Sequence, residues 1–240
     1  MKTRETVPGI RKNPSPAADR ESKPVSRRQI MLVDDHPLML AGLAQLINRQ
    51  PDLAVCAEAG DPAAASRELG RTRADLILTD ITMPGRGGFE FIRDLIAANP
   101  AQLILVVSMH DEVIYAERAL RAGARGYVMK EAGGENLLAA IRQVLAGQVY
   151  LSVRMSARVL EDLSARRPRG SASPIESLTD REFEVFQLVG LGRSTRDIAS
   201  QLRLSPKTVD VHRGHIKVKL QLGDSTALVR YAVRWVETQT

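Results

Sequence analysis

From Ile30 onward the chain alternates short apolar runs with longer stretches in which apolar residues recur at helical spacing. The runs are Ile30 to Val33, Leu53 to Ala57, Leu76 to Leu78, Leu103 to Val107 and Tyr127 to Met129, and they read as five strands. The stretches between them carry helix start and stop signals. One begins at Pro37, one has Asp61 and Pro62 as cap and first turn, and others span Gly88 to Ala98, Asp111 to Ala122 and Gly134 to Ala146, the last closed by Gly147. A strand–helix pair repeated five times predicts an α/β doubly wound (βα)5 parallel sheet covered on both faces. Functional groups then gather where the strands end at their carboxyl side.

The pattern breaks at Ser164 to Pro174 (SARRPRGSASP), after a short helix expected around Ser152 to Leu163. Beyond it the periodicity is helical throughout. Thr179 and Glu182 form a capping box ahead of Phe183, Val185, Phe186, Leu188 and Val189, and Ser194 and Asp197 repeat it ahead of Ile198, Ala199 and Leu202. Ser205 and Pro206 open a third helix running to Leu220, and Asp224 opens a fourth with Leu228, Val229, Ala232, Val233 and Val236. The expected division is a disordered tail over 1–28, an α/β domain over 29–149, a linker over 150–174 and a small all-α domain over 175–240. The tail follows from its four prolines among Lys, Arg, Glu and Ser, with almost nothing large and apolar to bury.

Composition narrows the classes. A chain of 240 residues with 44% hydrophobic and 26% charged residues is no disulfide-stapled miniprotein. The single Cys56 can form neither an internal disulfide nor a cysteine metal cluster, and within a strand it reads as a packed thiol. No apolar run approaches the roughly 20 residues of a membrane span, and none before Ile30 resembles a signal peptide, so the expected location is cytoplasmic without membrane contact. The net charge of +6 is uneven: +5 over 1–28, −4 over 29–149, +3 over 150–174 and +2 over 175–240. An acidic centre beside a basic C-terminal third suggests one module that handles a cation or phosphate and another that meets a polyanion.

Three carboxylates stand at predicted strand ends: Asp34 and Asp35 after the first strand, Asp80 after the third. Parallel strands bring these ends together, and clustered like charges need a compensator, for which Mg2+ is the natural cytoplasmic choice. Ser108 and Lys130, at the ends of the fourth and fifth strands, add a hydroxyl donor and a positive charge on the same edge. A phosphoryl group on Asp80 would be held by the ion, the hydroxyl and the ammonium. Taken singly, Asp35 is as well explained as a cap for the Pro37 helix, Asp80 as a loop carboxylate and Lys130 as a solvated lysine. Their joint placement favours the site.

The set Asp34 and Asp35, Asp80 followed by Met83, Pro84 and Gly85, Ser108, and GYVMK from Gly126 to Lys130 resembles the receiver domain of two-component response regulators over about 120 residues. The resemblance implies the receiver strand order. It also implies that Asp80 is the phosphoacceptor, served by a sensor histidine kinase, and that magnesium is held by Asp35, Asp80 and the Thr82 carbonyl, with Asp34 assisting through water. Ser108 and Tyr127 would be its switch pair. Tyr127 is expected to point away from the core register of its strand and to turn inward as Ser108 moves toward phosphate, although plain packing of the ring also accounts for it.

On the third C-terminal helix, at about 100° per residue, Val209, Ile216 and Leu220 share an inner stripe with His212 and Arg213 at its margins. The opposite face carries Lys207, Asp210, Val211, Gly214 and Val218, with Thr208 and His215 beside it, and would meet the major groove in a helix-turn-helix. The segment from LTDREFEVFQLVGLG through STRDIASQLRLSPKTVDVHR to IKVKL resembles the LuxR-type module, and its pairing with a receiver points to the NarL/FixJ class. Lys207, Arg213, Lys217, Lys219 and Arg196 are the candidate phosphate contacts on double-stranded DNA. Asp210 would be repelled by phosphates yet can accept from a cytosine amino group, and Val211 can touch a thymine methyl. The reading is a phosphorylation-controlled transcription regulator that forms a homodimer when phosphorylated. Two rivals remain: a constitutive DNA binder, and a phosphohydrolase, which would want a second carboxylate where Thr82 stands.

Overall fold

The computed structural model describes residues 27–83, 87–157 and 174–238. Most of the expected tail and linker lies outside these residues, as do Pro84, Gly85 and the end of the helix expected to Leu163, of which 153–157 are helical. The α/β half runs β1 (Arg28–Val33), α1 (Pro37–Asn48), β2 (Leu53–Ala59), α2 (Pro62–Leu69), β3 (Leu76–Thr79), α3 (Gly88–Ala98), β4 (Leu103–Ser108), α4 (Glu112–Ala122), β5 (Gly126–Met129) and α5 (Gly134–Leu145). The sheet is parallel throughout, in the order β2-β1-β3-β4-β5. β2 outlasts its apolar run because the polar Glu58 does not stop main-chain pairing, which continues to Ala59 opposite Val33.

Two apolar layers sandwich the sheet. Met31, Val33, Ile77, Ile104 and Val106 pack with α3 and α4 on one face. Ile30, Leu32, Leu76, Leu105 and Val107 pack with α1 and α5 on the other. This corrects the expectation for Tyr127, whose ring is 1% exposed on the α4 side while Val128 serves the opposite layer. A sheet buried on both faces has no outer register for that side chain to occupy.

The C-terminal half opens with a 3-10 turn at Pro174–Ser177 and continues as α6 (Asp180–Gly190), α7 (Thr195–Gln201), α8 (Pro206–Lys219) and α9 (Ser225–Glu237). Both capping boxes form, Thr179 with Glu182 and Ser194 with Asp197. Ser205 caps α8 through the Thr208 N–H, and Asp224 caps α9 through Ala227. Between α7 and α8 the chain turns sharply at Arg203, whose φ of 52° is left-handed, while the Leu204 N–H donates to the Ala199 carbonyl. Val209, Ile216 and Leu220 are buried as their spacing predicts.

The two halves meet over α3 and α4. The Arg118 guanidinium donates to the carbonyls of Ile175 at 2.9 Å and Leu178 at 3.1 Å and to the Asp180 carboxylate at 3.2 Å. It also lies 4.1 Å from the centre of the Phe183 ring. Arg93 reaches the second oxygen of Asp180, and Tyr115 meets Phe183 edge-on with centroids 5.4 Å apart. A cavity of about 310 Å³ lies along this seam, walled by Thr82, Phe89, His110 and Tyr115 on one side and by Gln187, Leu188, Leu191 and Leu202 on the other.

Candidate functional site

β1 and β3 are neighbours from which the chain departs in opposite directions, so a crevice forms at their carboxyl ends. Val33 pairs with Thr79, which sets Asp34 and Asp80 side by side as the next residues of each strand. Main-chain bonds fix both: the Asp80 N–H donates to the Val33 carbonyl at 2.9 Å and the Asp34 N–H to the Ala59 carbonyl at 3.0 Å. Gly88, which opens α3, lies close against the residue after Asp80: a Cβ there would stand 2.3 Å from the Ile81 Cα. Asp80 Oδ1 accepts from the N–H groups of Ile81 at 2.6 Å and Thr82 at 3.1 Å.

Lys130, starting the 3-10 turn after β5, puts its ammonium between the two acids, 2.6 Å from Asp34 Oδ2 and 2.8 Å from Asp80 Oδ2. All three side chains are 3% exposed. Burial works against the ammonium's charge, but its hydrogen bonds to Asp34 and Asp80 outweigh it and hold the pKa above the ordinary lysine value. Asp34, Asp35, His36 and Asp80 each offer a ligand atom, all within 4.8 Å of one another. Asp35 Oδ1 is buried without a hydrogen bond; it lies 3.0 Å from His36 Nδ1 but out of alignment with it. The cap position of α1 belongs to His36, with no side-chain bond, so Asp35 is not a helix cap. A buried carboxylate oxygen without a hydrogen bond, among hard oxygen donors, suits a small divalent cation.

Ser108 is fully buried at the end of β4, its Oγ accepting from the His110 N–H at 3.3 Å. The Tyr127 hydroxyl donates to the His110 carbonyl at 2.7 Å. Burial pushes that hydroxyl's pKa well up, and the Ser108 hydroxyl beside it offsets part of the rise. His110 escaped the sequence reading, as did His36, Arg118 and Asp180. Burial keeps the His110 imidazole below its usual pKa, hence neutral near pH 7. Cys56 is half-buried, its thiol 3.4 Å from the Ile30 carbonyl and its pKa raised by burial, as befits a packing residue.

On α8, Lys207, Asp210, Val211, His215 and Val218 are exposed, Val211 to 49% and Val218 to 77%; Thr208, Gly214 and Lys217 lie half-buried beside them. Arg196 is exposed on α7. Two expected phosphate contacts make bonds within the domain in this structure. Arg213 donates to Thr195 Oγ1 at 2.9 Å, joining α8 to α7, and Lys219 donates to Glu182 Oε2 at 2.6 Å, joining α8 to α6. Both sit at the margins of the buried stripe, within reach of intramolecular acceptors. Lys217 Nζ lies 3.5 Å from Ser225 Oγ. Among the described residues no helix is long and apolar enough to cross a membrane.

Residues 30–142 match the response regulator receiver domain, and residues 176–232 match the bacterial regulatory proteins of the luxR family. The oxygen regulatory protein NreC of Staphylococcus haemolyticus is 32% identical over 210 residues, covering 86% of this chain and 97% of that protein. RcsB of Salmonella enterica serovar Typhimurium, bound to the promoter rprA in the presence of the phosphomimetic BeF3−, superposes with a TM-score of 0.61 at 25% identity, over 87% of this chain and 99% of that one. A LuxR-family two-component response regulator from Aurantimonas sp. SI85-9A1 is 39% identical with a TM-score of 0.54, over 58% of this chain and 99% of its own. With its five-stranded parallel sheet, its acidic crevice and its helix-turn-helix, the chain belongs to the NarL/FixJ class of response regulators, which join a receiver domain to a LuxR-type DNA-binding domain.

Proposed function

We propose that Asp80 accepts a phosphoryl group from the phosphohistidine of a sensor kinase and that this controls the binding of the C-terminal domain to promoter DNA. The observation that carries the reading is the trio of carboxylates at the β1/β3 crevice, with Lys130 buried between two of them, on the same chain as an exposed recognition helix. Asp35, Asp80 and the Thr82 carbonyl would hold Mg2+, with Asp34 assisting; when bound, the ion neutralises charge on the transferring phosphoryl oxygens. Asp80 supplies the attacking carboxylate oxygen, the phosphorus–nitrogen bond of the donor breaks, and the imidazole leaves with a proton. Lys130 and the Ser108 hydroxyl then face the acyl phosphate and balance its charge.

The receiver occupies 29–149, the linker 150–174 and the DNA-binding domain 175–240 in this reading. The recognition face is Lys207, Thr208, Asp210, Val211, Gly214 and His215, with Arg196 and Lys217 on phosphates, and the phosphorylated protein pairs as a homodimer. Intact mass after incubation with magnesium and a small acyl phosphate tests the pocket: one added phosphoryl group is expected, absent from Asp80→Asn and from a chelated sample. No adduct on folded protein would overturn the phosphoacceptor assignment. The open α8 face also favours a second reading, in which the domain binds DNA whatever the state of Asp80. An affinity unchanged by phosphorylation and by Asp80→Asn would establish it.

A further inference from the structure

His110 stands where the acidic crevice and the domain seam meet, and the inference drawn from it rests on the phosphoacceptor reading. Its backbone is held by both switch residues, the N–H by Ser108 Oγ and the carbonyl by the Tyr127 hydroxyl. Its imidazole stacks on Tyr115 with centroids 4.7 Å apart and planes 24° apart. Tyr115 abuts Phe183 of the DNA-binding domain, and Phe183 abuts Trp235 edge-on at 5.6 Å. An unbroken line of contacts therefore runs from the groups that would sense a phosphoryl group to the core of the other domain. Arg118 clamps that domain beside the line through three hydrogen bonds and the Phe183 face.

The seam also leaves the ring somewhere to go. The cavity of about 310 Å³ borders His110, Tyr115 and Phe89, so the imidazole can leave its stack without displacing close-packed neighbours. We propose that His110 is the positioning residue that ties the state of Asp80 to the seating of the DNA-binding domain on α4. A phosphoryl group that draws the Ser108 hydroxyl withdraws the acceptor of the His110 N–H, the ring leaves Tyr115, and the domain held by Phe183 and Arg118 is loosened. Coupling of this kind is reciprocal. If phosphate loosens the seat, loosening the seat must strengthen the binding of a phosphoryl mimic by the same factor.

The test uses the full chain with magnesium and BeF3−. Calorimetry reads the affinity of the mimic, and fluorescence of Trp235, the single tryptophan, reads the seat. Arg118→Ala, distant from the acidic crevice, is expected to bind BeF3− about five-fold or more tightly than the parent, at the low end of ordinary coupling. Asp180→Asn serves as a second, milder loosening should Arg118→Ala fold poorly. In a His110→Ala background the gain from Arg118→Ala is expected to vanish, and BeF3− should no longer change the Trp235 signal. A His110 that merely filled space would lower thermal stability yet leave that gain intact, and this result would overturn the proposal. So would equal BeF3− affinities in the parent and the loosened variants. A parent that binds BeF3− no better than Asp80→Asn would overturn the phosphoacceptor reading as well, which separates the two failures.

Discussion

Lys130 keeps two buried carboxylates from repelling one another. Among the described residues its ammonium is the only buried cation paired with Asp34 and Asp80; His36, the other partner of Asp34, is largely exposed. Removing one partner of a buried ionic cluster costs about 3–5 kcal/mol, because what remains is uncompensated charge. Lys130→Met should therefore melt well below the parent in chelator and recover part of the loss in magnesium, whose binding to the folded state alone stabilises it. Thermal melts with and without magnesium check this, and an identical response in parent and variant would remove Lys130 from that role. Strand ends made Asp34, Asp80, Ser108 and Lys130 legible from the sequence. His110 was not legible, because its part is played by backbone groups and a stacked ring, and neither leaves a pattern in the residues around it.

Helix caps were readable because a cap is a local bargain between a side chain and main-chain groups three residues away. What α8 does with its cations was not, because Arg213 and Lys219 find partners on α7 and α6 that are remote in sequence. Glu182 shows the result. Burial raises its carboxyl, but the hydrogen bonds from Lys219 and from the Thr179 main chain and hydroxyl prevail and hold its pKa below the usual 4.5. A depressed carboxyl stabilises the fold fully above its unfolded value, and that contribution drains away as pH falls through the folded value. Glu182→Gln keeps the capping box but loses the charge opposite Lys219, and should thus be less stable than the parent at pH 7 by up to about 1 kcal/mol, with the gap closing below pH 4.5 in denaturant titrations. Gly214 offers a separate test of the α8 face. Nothing lies within 4 Å of a Cβ built there, so Gly214→Ala should stabilise the helix by up to about 1 kcal/mol. If the backbone at that point approaches DNA closely, the same change weakens DNA binding, and opposite movements of melting temperature and affinity would show it.

The seat of one domain on the other is a property of the whole molecule. Arg118 and Asp180 are unremarkable charged positions on two amphipathic helices until the chain has folded, and the stretch between them includes the linker, which says nothing of where the second domain docks. Docking leaves Lys207, Asp210, Val211 and Val218 exposed, so the seat does not bar DNA by covering the recognition helix. In the proposed homodimer it would restrain instead how the domain is placed beside the second copy. On the proposed reading a single α8 would read DNA poorly on its own, with Asp210 among its exposed residues and with Arg213 and Lys219 bonded to α7 and α6, so strong binding would come from pairing. Paired domains span half-sites about one helical turn apart, roughly 34 Å. On a promoter fragment recovered with the phosphorylated protein, inserting about 5 base pairs between half-sites puts them on opposite faces of the duplex. Affinity in the presence of BeF3− should then fall by on the order of 100-fold, the lower range of avidity, while the weak binding of the unphosphorylated protein stays as it was. Gel-shift titrations on the two fragments measure both, and a loss shared equally by the two states would mean that pairing on DNA does not depend on Asp80.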